Sequence, residues 1–316
     1  MRALVYTGPK RLELLDVPEP EPEPGDVIVQ VEAVGICGSD LEGFASQSPF
    51  RKPPLIMGHE AAGVRLDTGD RVVINPCISC WNCDLCLRGL PNVCRNRAIV
   101  GIQRPGAFAE RVAVPERSCY RLPDQLPASK ASMVEPMANA AHAVRLIQEH
   151  EPVLERVAII GAGMLGIAVA IQARERGAHH VQVAERSELR RGTALAVGAN
   201  EVVEALDGEF DAVFDAVGSA ETRRLAMEHL RPGGTCVWIG LHEPTSGFDG
   251  LDLIRTEKRV LGTFCYHDQD YHAAIRSLTS ISADDWLRER PLDDAVATFY
   301  GLLDDLPAEI KTVLVP

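Results

Sequence analysis

The feature that most constrains the fold is a regular alternation of predicted strands and helices that begins at Val157. Apolar runs rich in valine and isoleucine alternate with stretches of helical spacing, and only short connections separate them. In order, the segments are RVAIIGAG, LGIAVAIQARERG, HHVQVAE, ELRRGTALAVG, DAVFDAVG, ETRRLAMEHL and GGTCVWIGL. Because this alternation is typical of a parallel sheet with helices on its faces, the middle of the chain is predicted to be an α/β domain.

A glycine-rich motif, GAGMLG, follows the first of these strands and opens the first helix. Gly161 permits a tight turn, Gly163 lets the backbone approach a pyrophosphate, and Gly166 lets the helix close onto the strand. Met164 and Leu165 fill the two positions between the last glycines. Together these residues predict the dinucleotide site of a Rossmann fold, a doubly wound parallel sheet.

An acidic residue ends the next predicted strand. Glu185 lies 19 residues after Gly166, where a carboxylate binds the hydroxyls of an adenosine ribose. Its charge repels a 2′-phosphate, which favours NAD over NADP. Arg186, Arg190 and Arg191 would offset part of that repulsion, and Arg190 is a candidate contact for the cofactor.

The chain before this domain is predicted to be β-rich, because short apolar runs alternate there with glycine and proline. These runs are RALVY, LELLDV, DVIVQVEAVGI, RVVIN and FAERVAV, and helical spacing begins near Ser129. Residues 18–24, PEPEPEP, cannot enter a central strand or a helix, so they predict an extended surface connector. The C-terminal PLDDAVATFYGLLDDLPAEIKTVLVP predicts a helix and a closing strand that return to this first domain.

Five of the nine cysteines fall within residues 77–94. Four of them are separated by 3, 3 and 8 residues, so short turns gather three sulfur atoms and a longer loop supplies the fourth. These four are Cys80, Cys83, Cys86 and Cys94. Four thiolates with no open position predict a closed structural zinc site, with a redox switch as the alternative. Cys77 is predicted to be a packing thiol.

Composition argues against several other functions. The net charge of −13 is spread along 316 residues, and an acidic surface repels nucleic acid. The longest apolar run, residues 157–171, is interrupted by glycines and is shorter than the about 20 residues of a membrane helix. The N-terminus has no signal-peptide core and the cysteine count is odd, so we expect a cytoplasmic protein without a disulfide framework.

Three further fragments carry side chains that bind zinc: GICGSD with Cys37, GHE with His59 and VEP with Glu135. A catalytic zinc takes three protein ligands and keeps one position for water or substrate. Each residue alone has a simpler interpretation, as a buried thiol, a core histidine or a charge that favours the start of a helix. Composition and spacing leave these alternatives open.

Taken together, the motifs resemble the zinc-dependent medium-chain alcohol dehydrogenase family, in particular its polyol (sorbitol-like) and threonine dehydrogenase branch. The resemblance covers nearly the whole chain, and the motifs occur in the family's order. They are GICGSD, GHEAAGV, GDRVV, the four-cysteine lobe, GAFAERVAVP, VEP, GAGMLG and KTVLVP. The resemblance implies a GroES-like β-rich catalytic domain, which carries the structural zinc lobe, and a Rossmann NAD-binding domain.

The resemblance also implies a second, catalytic zinc in each chain. Its ligands are implied to be Cys37, His59 and one acidic residue. That acid is either Glu60 or Glu135, and the other is implied to bond the zinc-bound water or to exchange with the ligand.

Two neighbouring residues and three departures from the family complete the expected site. Asp40 matches the carboxylate that holds the ligand histidine, and Ser39 matches the hydroxyl that takes the substrate's proton. Glu42 stands where many relatives carry a relay histidine, and Gly43 where the sorbitol enzymes carry tyrosine. Ala107 replaces a usual glycine.

We therefore expect two domains and one reaction. Residues 1–137 with 267–316 are expected to form the catalytic domain, and residues 138–266 the Rossmann domain. The expected reaction is hydride transfer between NAD and a polyol, sugar alcohol or other secondary alcohol. The alternatives are reduction of a small ketone in a biosynthetic pathway and a non-catalytic redox sensor that binds zinc and NAD(H). The family also implies a homodimer or homotetramer with no nucleic-acid or membrane partner.

Overall fold

A computed structural model describes residues 1–46, 48–283, 285–304 and 309–316. The chain divides into two compact units, which we call the first and the second unit. The first unit comprises Met1–Glu135 and Leu278–Pro316, and the second comprises Pro136–Ser277. Within the described ranges, no helix has both the length and the apolar character needed to cross a bilayer.

Strands dominate the N-terminal region, and strands alternate with helices in the middle of the chain. The strands are β1 (Arg2–Gly8), β2 (Arg11–Asp16), β3 (Asp26–Gly35), β4 (Leu55–Ile56), β5 (Glu60–Arg65), β6 (Arg71–Ile74), β7 (Cys77–Ile78), β8 (Ala98–Ile99), β9 (Arg111–Pro115), β10 (Cys119–Arg121), β11 (Arg156–Ile160), β12 (His180–Ala184), β13 (Glu201–Val203), β14 (Phe210–Asp215), β15 (Leu230–Trp238), β16 (Arg259–Gly262), β17 (Leu287–Pro291) and β18 (Lys311–Val315). The α-helices are α1 (Gly38–Ala45), α2 (Asp84–Leu87), α3 (Ala128–Ala131), α4 (Val134–Gln148), α5 (Met164–Glu175), α6 (Glu188–Ala196), α7 (Ala220–Glu228), α8 (Gly250–Arg255), α9 (Asp268–Ser280) and α10 (Ala295–Asp304).

The second unit is built on a six-stranded sheet with the order β13-β12-β11-β14-β15-β16. Every neighbouring pair is parallel, which confirms the predicted doubly wound sheet. Val157 of β11 lies opposite Val181 on one side and Ala212 on the other. The strand order therefore reverses beside β11, and in such sheets ligands bind at the carboxyl end of the strands at this point.

The first unit holds a seven-stranded mixed sheet. Its order is β10-β6-β5-β3-β18-β17, and β9 also pairs with β3. Strand β18 runs antiparallel to β3, with Val313 opposite Gly35 and Leu314 opposite Val34. A three-stranded sheet, β2-β1-β4, and the pair β7-β8 also belong to this unit. The last strand of the chain thus lies beside a strand from the N-terminal region.

Aromatic packing fixes the helix that follows Cys37. Phe44 of α1 and Phe299 of α10 are fully buried and meet edge to face, with ring centroids 5.5 Å apart. Phe108 packs against Phe299 in the same way at 5.6 Å. Edge-to-face contacts between buried rings restrict both position and rotation. Helix α1 is therefore held rigidly, and Cys37, Ser39 and the next residues along the helix are held with it.

Candidate active site

The four cysteines of the predicted lobe lie together, on the segment between β7 and β8. Their sulfur atoms all lie within 4.8 Å of one another. The individual separations are 3.3 Å for Cys80–Cys94, 3.6 Å for Cys83–Cys86 and 3.8 Å for Cys83–Cys94. A tetrahedron with zinc–sulfur bonds of about 2.3 Å places its sulfur atoms about 3.8 Å apart. The four sulfur atoms thus fit a zinc ion, and Cys77 lies outside the group, in β7.

Backbone amides favour the thiolate form within this lobe. The N–H groups of Cys80 and Asn96 both donate to the Cys94 sulfur at 3.3 Å. The N–H of Cys86 is the largest cause that lowers the pKa of Cys83 to about 6, whereas burial raises the pKa of Cys86 to about 12. Because thiolates are the form of cysteine that binds metal, these hydrogen bonds favour metal binding by Cys83 and Cys94.

The structure also brings Cys37, His59 and Glu60 together in the first unit. One donor atom from each lies within 4.8 Å of the others. Cys37 is the N-cap of α1, and Glu60 opens β5 opposite Gly35 of β3. The carboxylate oxygens of Glu60 and the Nδ1 of His59 are buried, and their close polar neighbours among the described residues are the charged groups Lys311 and Asp40. A thiolate, an imidazole and a carboxylate form a three-ligand set that fits a catalytic zinc.

Asp40 lies behind the histidine and is fully buried. Its Oδ2 accepts the N–H of Cys37 at 3.2 Å, and its Oδ1 lies 3.4 Å from His59 Nδ1. Burial alone raises the pKa of the Asp40 carboxyl, but His59 and Arg51 reverse that effect and hold it below its ordinary value. Burial likewise disfavours protonated His59, yet Asp40 raises the pKa of the imidazole well above its ordinary value. Because Nδ1 faces Asp40, Nε2 is the atom left to bind a metal.

A buried lysine from the last strand completes this cluster. Lys311 forms an ion pair with Glu60, and both side chains are almost fully buried. Its Nζ also donates to the carbonyl of Ile36 at 2.9 Å. Burial lowers the pKa of Lys311, but the charges of Glu60, Cys37 and Asp40 and the hydrogen bond to Glu60 together outweigh burial and raise the pKa. The sequence interpretation missed this residue, although a lysine that heads the apolar run KTVLV was an available signal.

A buried arginine also reaches the site, and the sequence interpretation missed it as well. Arg51 is only 7% exposed. Its Nη2 lies 3.3 Å from Ser39 Oγ and 3.4 Å from Asp40 Oδ1. Ser39 stands two residues after Cys37 in α1, half-buried. The proposed proton acceptor thus has a fixed cation as its neighbour.

Glu135, the other acidic candidate, lies in the first turn of α4. It is buried, with 7% of its surface exposed. The group of donor atoms within 4.8 Å contains Glu60 and does not contain Glu135. A carboxylate in a first turn is also stabilised by the helix dipole, so its position has an explanation without a metal.

The glycine motif has the backbone that a nucleotide site requires. Gly161 has a φ of 93°, in the left-handed region that favours glycine. A side chain at Gly166 would collide with the carbonyl of Gly161, whereas a Cβ at Gly163 would meet nothing within 4 Å. Gly163 is the N-cap of α5, which begins at Met164 and continues through Leu165. The open space at the start of α5 therefore fits the pyrophosphate of a dinucleotide.

Glu185 follows β12 and closes onto this motif. Its Oε2 accepts the N–H of Ala162 at 2.7 Å, and its Oε1 accepts the N–H of Ser187 at 2.8 Å. The carboxylate is thereby fixed beside the glycine loop.

The neighbouring arginines differ in their surroundings. Arg186 is exposed, with its Nη2 3.4 Å from a Glu221 oxygen, and Arg191 donates to the carbonyl of Glu185 at 3.2 Å. Arg190 is half-buried on α6, and its Nε has no hydrogen-bond partner among the described residues.

Two family models match the chain. Residues 23–124 match the alcohol dehydrogenase GroES-like domain, and residues 164–280 match the zinc-binding dehydrogenase domain. L-threonine 3-dehydrogenase of Pyrococcus furiosus is 33% identical over 282 residues, with 80% of each chain covered. L-idonate 5-dehydrogenase of Vitis vinifera is 30% identical over 291 residues, which cover 83% of this chain and 79% of that enzyme.

Solved structures agree with this assignment. A protein from Sinorhizobium meliloti 1021, described as a zinc-binding dehydrogenase and bound to NADP, matches with a TM-score of 0.91 and 30% identity. The match covers 100% of this chain and 99% of that chain. The chain therefore belongs to the zinc-dependent medium-chain alcohol dehydrogenases.

Membership fixes the class of reaction. The protein is an oxidoreductase that acts on the CH–OH group of small alcohols or polyols with zinc and a nicotinamide cofactor. The expected recognition, fold, activity and cofactor class are thereby confirmed. The redox sensor and ketone reductase alternatives are not favoured, because the two relatives and the solved structure described above are all named as dehydrogenases.

Proposed function

We propose that this enzyme oxidises the secondary hydroxyl of a polyol, sugar alcohol or hydroxy acid and passes the hydride to NAD. The observation that carries the proposal is the Cys37–His59–Glu60 group, in which His59 and Glu60 are buried and Cys37 is half-buried, with the Ser39 hydroxyl in the helix that Cys37 caps. The names of the two relatives, threonine 3- and idonate 5-dehydrogenase, specify oxidation at an interior carbon. Both of these named substrates are hydroxy acids, and an interior hydroxyl is a secondary alcohol.

Cys37, His59 and Glu60 are the proposed ligands of the catalytic zinc, and Glu135 is the alternative third ligand. Glu60 is preferred because its carboxylate shares the 4.8 Å group with the other two donors. Zinc held there would act as a Lewis acid that lowers the pKa of a bound alcohol. Lys311 holds the Glu60 carboxylate in place from the opposite side.

Ser39 and Asp40 are proposed to handle the proton and the ligand geometry. The Ser39 hydroxyl takes the proton that the substrate alcohol loses and at the same time passes its own proton onward, so that it stays neutral. Asp40 fixes the ring of His59 so that Nε2 points to the metal position, and its charge raises the basicity of the imidazole. Glu42, one turn along α1, stands where relatives carry the relay histidine and is the proposed onward acceptor.

NAD is the proposed cofactor. Gly161, Gly163 and Gly166 shape the pyrophosphate site, and Glu185 is the proposed partner of the adenosine ribose. Both Glu185 oxygens are anchored by backbone N–H groups, so the carboxylate cannot easily swing away from a 2′-phosphate. Arg186 lies beside Glu221, which offsets its charge and weakens the case for NADP.

The four-cysteine lobe is proposed to hold a structural zinc and to contribute no chemistry. The proposed assembly is a homodimer or homotetramer, following the habit of the family. The nine free thiols favour a reducing compartment such as the cytoplasm.

A paired measurement tests the proposal: the zinc content of each purified chain, and NADH formation with a panel of polyols, hydroxy acids and simple secondary alcohols. Two zinc ions per chain together with turnover of at least one panel member is the expected result. One zinc and no turnover with any member would remove the proposed function. Reduction of NADP instead of NAD would overturn only the cofactor preference.

A further inference from the structure

The most informative feature that the proposed function leaves unused is the side chain of Arg51. It lies in the segment that joins α1 to β4 and is 93% buried, since only 7% of its surface is exposed. Arginine is rarely buried unless an anion or a set of acceptors accompanies it. Among the described residues, the guanidinium has two close polar contacts, Ser39 Oγ and Asp40 Oδ1, both made by Nη2. A permanent cation is thus placed against the proposed proton acceptor.

A departure from the family creates the space for this cation. A Cβ on Gly43 would lie 2.7 Å from Cδ of Arg51 and 3.0 Å from both its Nε and its Nη1. Any larger residue at position 43 would therefore displace the guanidinium. The sorbitol-type enzymes carry a tyrosine at this position, and a side chain of that size would leave no room for the guanidinium where it lies here.

The guanidinium has hydrogen-bonding capacity left over. Arginine has five N–H donors, and the two contacts above use those of a single nitrogen. Nε is buried and has no hydrogen-bond partner in the part of the chain that the structure describes. Leaving a buried donor unpaired is unfavourable, so a site of this kind is suited to an incoming acceptor.

The charge of Arg51 is also only partly balanced. Asp40 is its counter-ion, but the same carboxylate accepts the N–H of Cys37 and faces His59. The contacts from Nη2 are 3.3 Å and 3.4 Å, longer than the roughly 2.8 Å of a strong charge-assisted bond. The other buried acid, Glu60, is paired with Lys311. An additional anion would therefore be attracted to this position.

We propose that Arg51 binds a carboxylate of the substrate, so that the enzyme prefers secondary alcohols that are also carboxylic acids over the matching neutral polyols. This inference rests on the proposed function, because it uses Ser39 as the contact of the reacting hydroxyl. A hydroxyl that bonds Ser39 lies about 2.7 Å from its Oγ, and Nη2 lies 3.3 Å from that oxygen. Nη2 is thus within about 6 Å of the reacting hydroxyl oxygen. A substrate whose carboxylate lies two or three carbons from that hydroxyl can reach the guanidinium.

Matched substrate pairs give the direct test on the unaltered enzyme. 3-Hydroxybutanoate is compared with butane-1,3-diol, and gluconate with sorbitol, because each pair differs only in whether one terminal carbon is a carboxylate. We expect kcat/KM for the acid to exceed that for the alcohol by about 30-fold or more, chiefly through KM. Equal values within a pair, or turnover of neutral alcohols only, would overturn the inference and leave the proposed function intact. Failure to oxidise any alcohol would instead remove the proposed function.

Three variants separate recognition from general damage. In Arg51→Met we expect the acid-to-alcohol ratio of kcat/KM to fall at least about 10-fold, although both activities decline because Ser39 and Asp40 lose a contact. Arg51→Lys keeps the charge without the planar fork and should retain an intermediate ratio. Gly43→Ala keeps the arginine but displaces it, and should lower the ratio as well. Arg65→Met is the matched control, since Arg65 pairs with Asp67 and Glu116 away from the site and should leave the ratio unchanged.

A binding readout keeps the test independent of turnover. The acid of each pair should raise the Tm of the zinc-loaded enzyme with NADH more than the alcohol does, and Arg51→Met should abolish that difference. The zinc content of each variant is measured in parallel. If an Arg51 variant has lost its metal, Gly43→Ala takes its place in the comparison. If Arg51→Met lowers activity on acid and alcohol equally and leaves the Tm difference unchanged, Arg51 only positions Ser39 and Asp40, and the inference is wrong.

Discussion

The two proposed metal-binding clusters of this enzyme are built in opposite ways. The lobe takes all four sulfur ligands from residues 80–94, and its nearest structural support is the short β7-β8 pair. The Cys37–His59–Glu60 group draws on the end of β3, the start of α1, the start of β5 and a lysine from β18. A local cluster can be predicted from the spacing of its cysteines. A cluster assembled across a sheet can be predicted only when the pairing of the strands is known.

The comparison predicts that damage to the two clusters separates activity from stability. Cys37→Ser should lower kcat/KM by at least about 10⁴-fold, or about 5 kcal/mol, because a thiolate ligand of the catalytic metal is lost. The lobe zinc should stay, so metal analysis should fall from two zinc ions to one. Steady-state NADH formation and zinc content check this expectation. A variant that loses both ions would show that the clusters are not independent.

Damage to the lobe should act mainly on stability. Cys94→Ser should lower the free energy of unfolding by about 4 kcal/mol, since loss of a structural metal is among the largest single-site effects. Chemical denaturation monitored by circular dichroism measures the change. Cys77→Ser is the matched control, because Cys77 lies beside the lobe but outside its sulfur group. A folded, zinc-replete Cys94→Ser protein would contradict the lobe assignment.

Lys311 should be essential to the assembled cluster. Lys311→Met leaves the Glu60 charge buried without its partner, and breaking such a pair costs about 3 kcal/mol or more. We expect lower stability of the zinc-free protein and a smaller loss once zinc is bound, because the metal then neutralises Glu60. Unfolding curves with and without zinc test this. An equal loss in both states would argue that Glu60 is not a ligand.

A smaller effect is expected at the cofactor site, which lies in the second unit. Glu185→Ala should shift the NADP-to-NAD ratio of kcat/KM by about 30-fold, or about 2 kcal/mol, because the repulsion of the 2′-phosphate is removed. Kinetics with both cofactors measures the shift, with Glu228→Ala as the control, because Glu228 is an acid of α7 that pairs with Arg224. An unchanged ratio would mean that Glu185 only braces the glycine loop through Ala162.

The smallest expected effect concerns a buried carboxylate with no proposed metal beside it. Burial raises the pKa of Asp270, but hydrogen bonds from Arg145 and His142 outweigh burial, so the pKa lies below its ordinary value. A depressed pKa contributes stability above the unfolded value of about 4, and that stability is lost as the pH falls. Asp270→Asn should therefore cost about 1 kcal/mol at pH 7 and progressively less towards pH 3. Urea unfolding at both pH values checks the sign, since a difference that grows on acidification would contradict it.

Much of this architecture could be predicted from the sequence, for reasons that differ by region. The parallel sheet followed from alternating apolar runs, and the dinucleotide loop from three glycines, because both patterns are local. Strands β13 and β16 were missed, since each is only a few residues long and has mixed polarity. Strand β17 was missed because LRERP carries three charges and a proline, and only its pairing with β18 makes it a strand.

The candidate site was predicted unevenly for the same reason. The resemblance supplied Cys37, His59 and the acidic candidates, but Arg51 belongs to none of the motifs, and the KTVLVP motif does not show that its lysine pairs with Glu60. The sequence alone does not show whether a charged residue is buried, because burial depends on which strands and loops lie around it in the fold. The partner of each was equally hidden, since Glu60 and Lys311 are about 250 positions apart.

The position of β18 also has a consequence for the order of folding during synthesis. Residues 136–277 form a continuous stretch, so the second unit can fold as soon as it leaves the ribosome. The first unit cannot complete its main sheet until residues 311–315 have been made, because β18 lies between β3 and β17. Glu60 remains without its lysine until then. The N-terminal part of the chain is therefore translated first but completes its sheet last, and the proposed catalytic metal site can be completed only after the whole second unit has been synthesised.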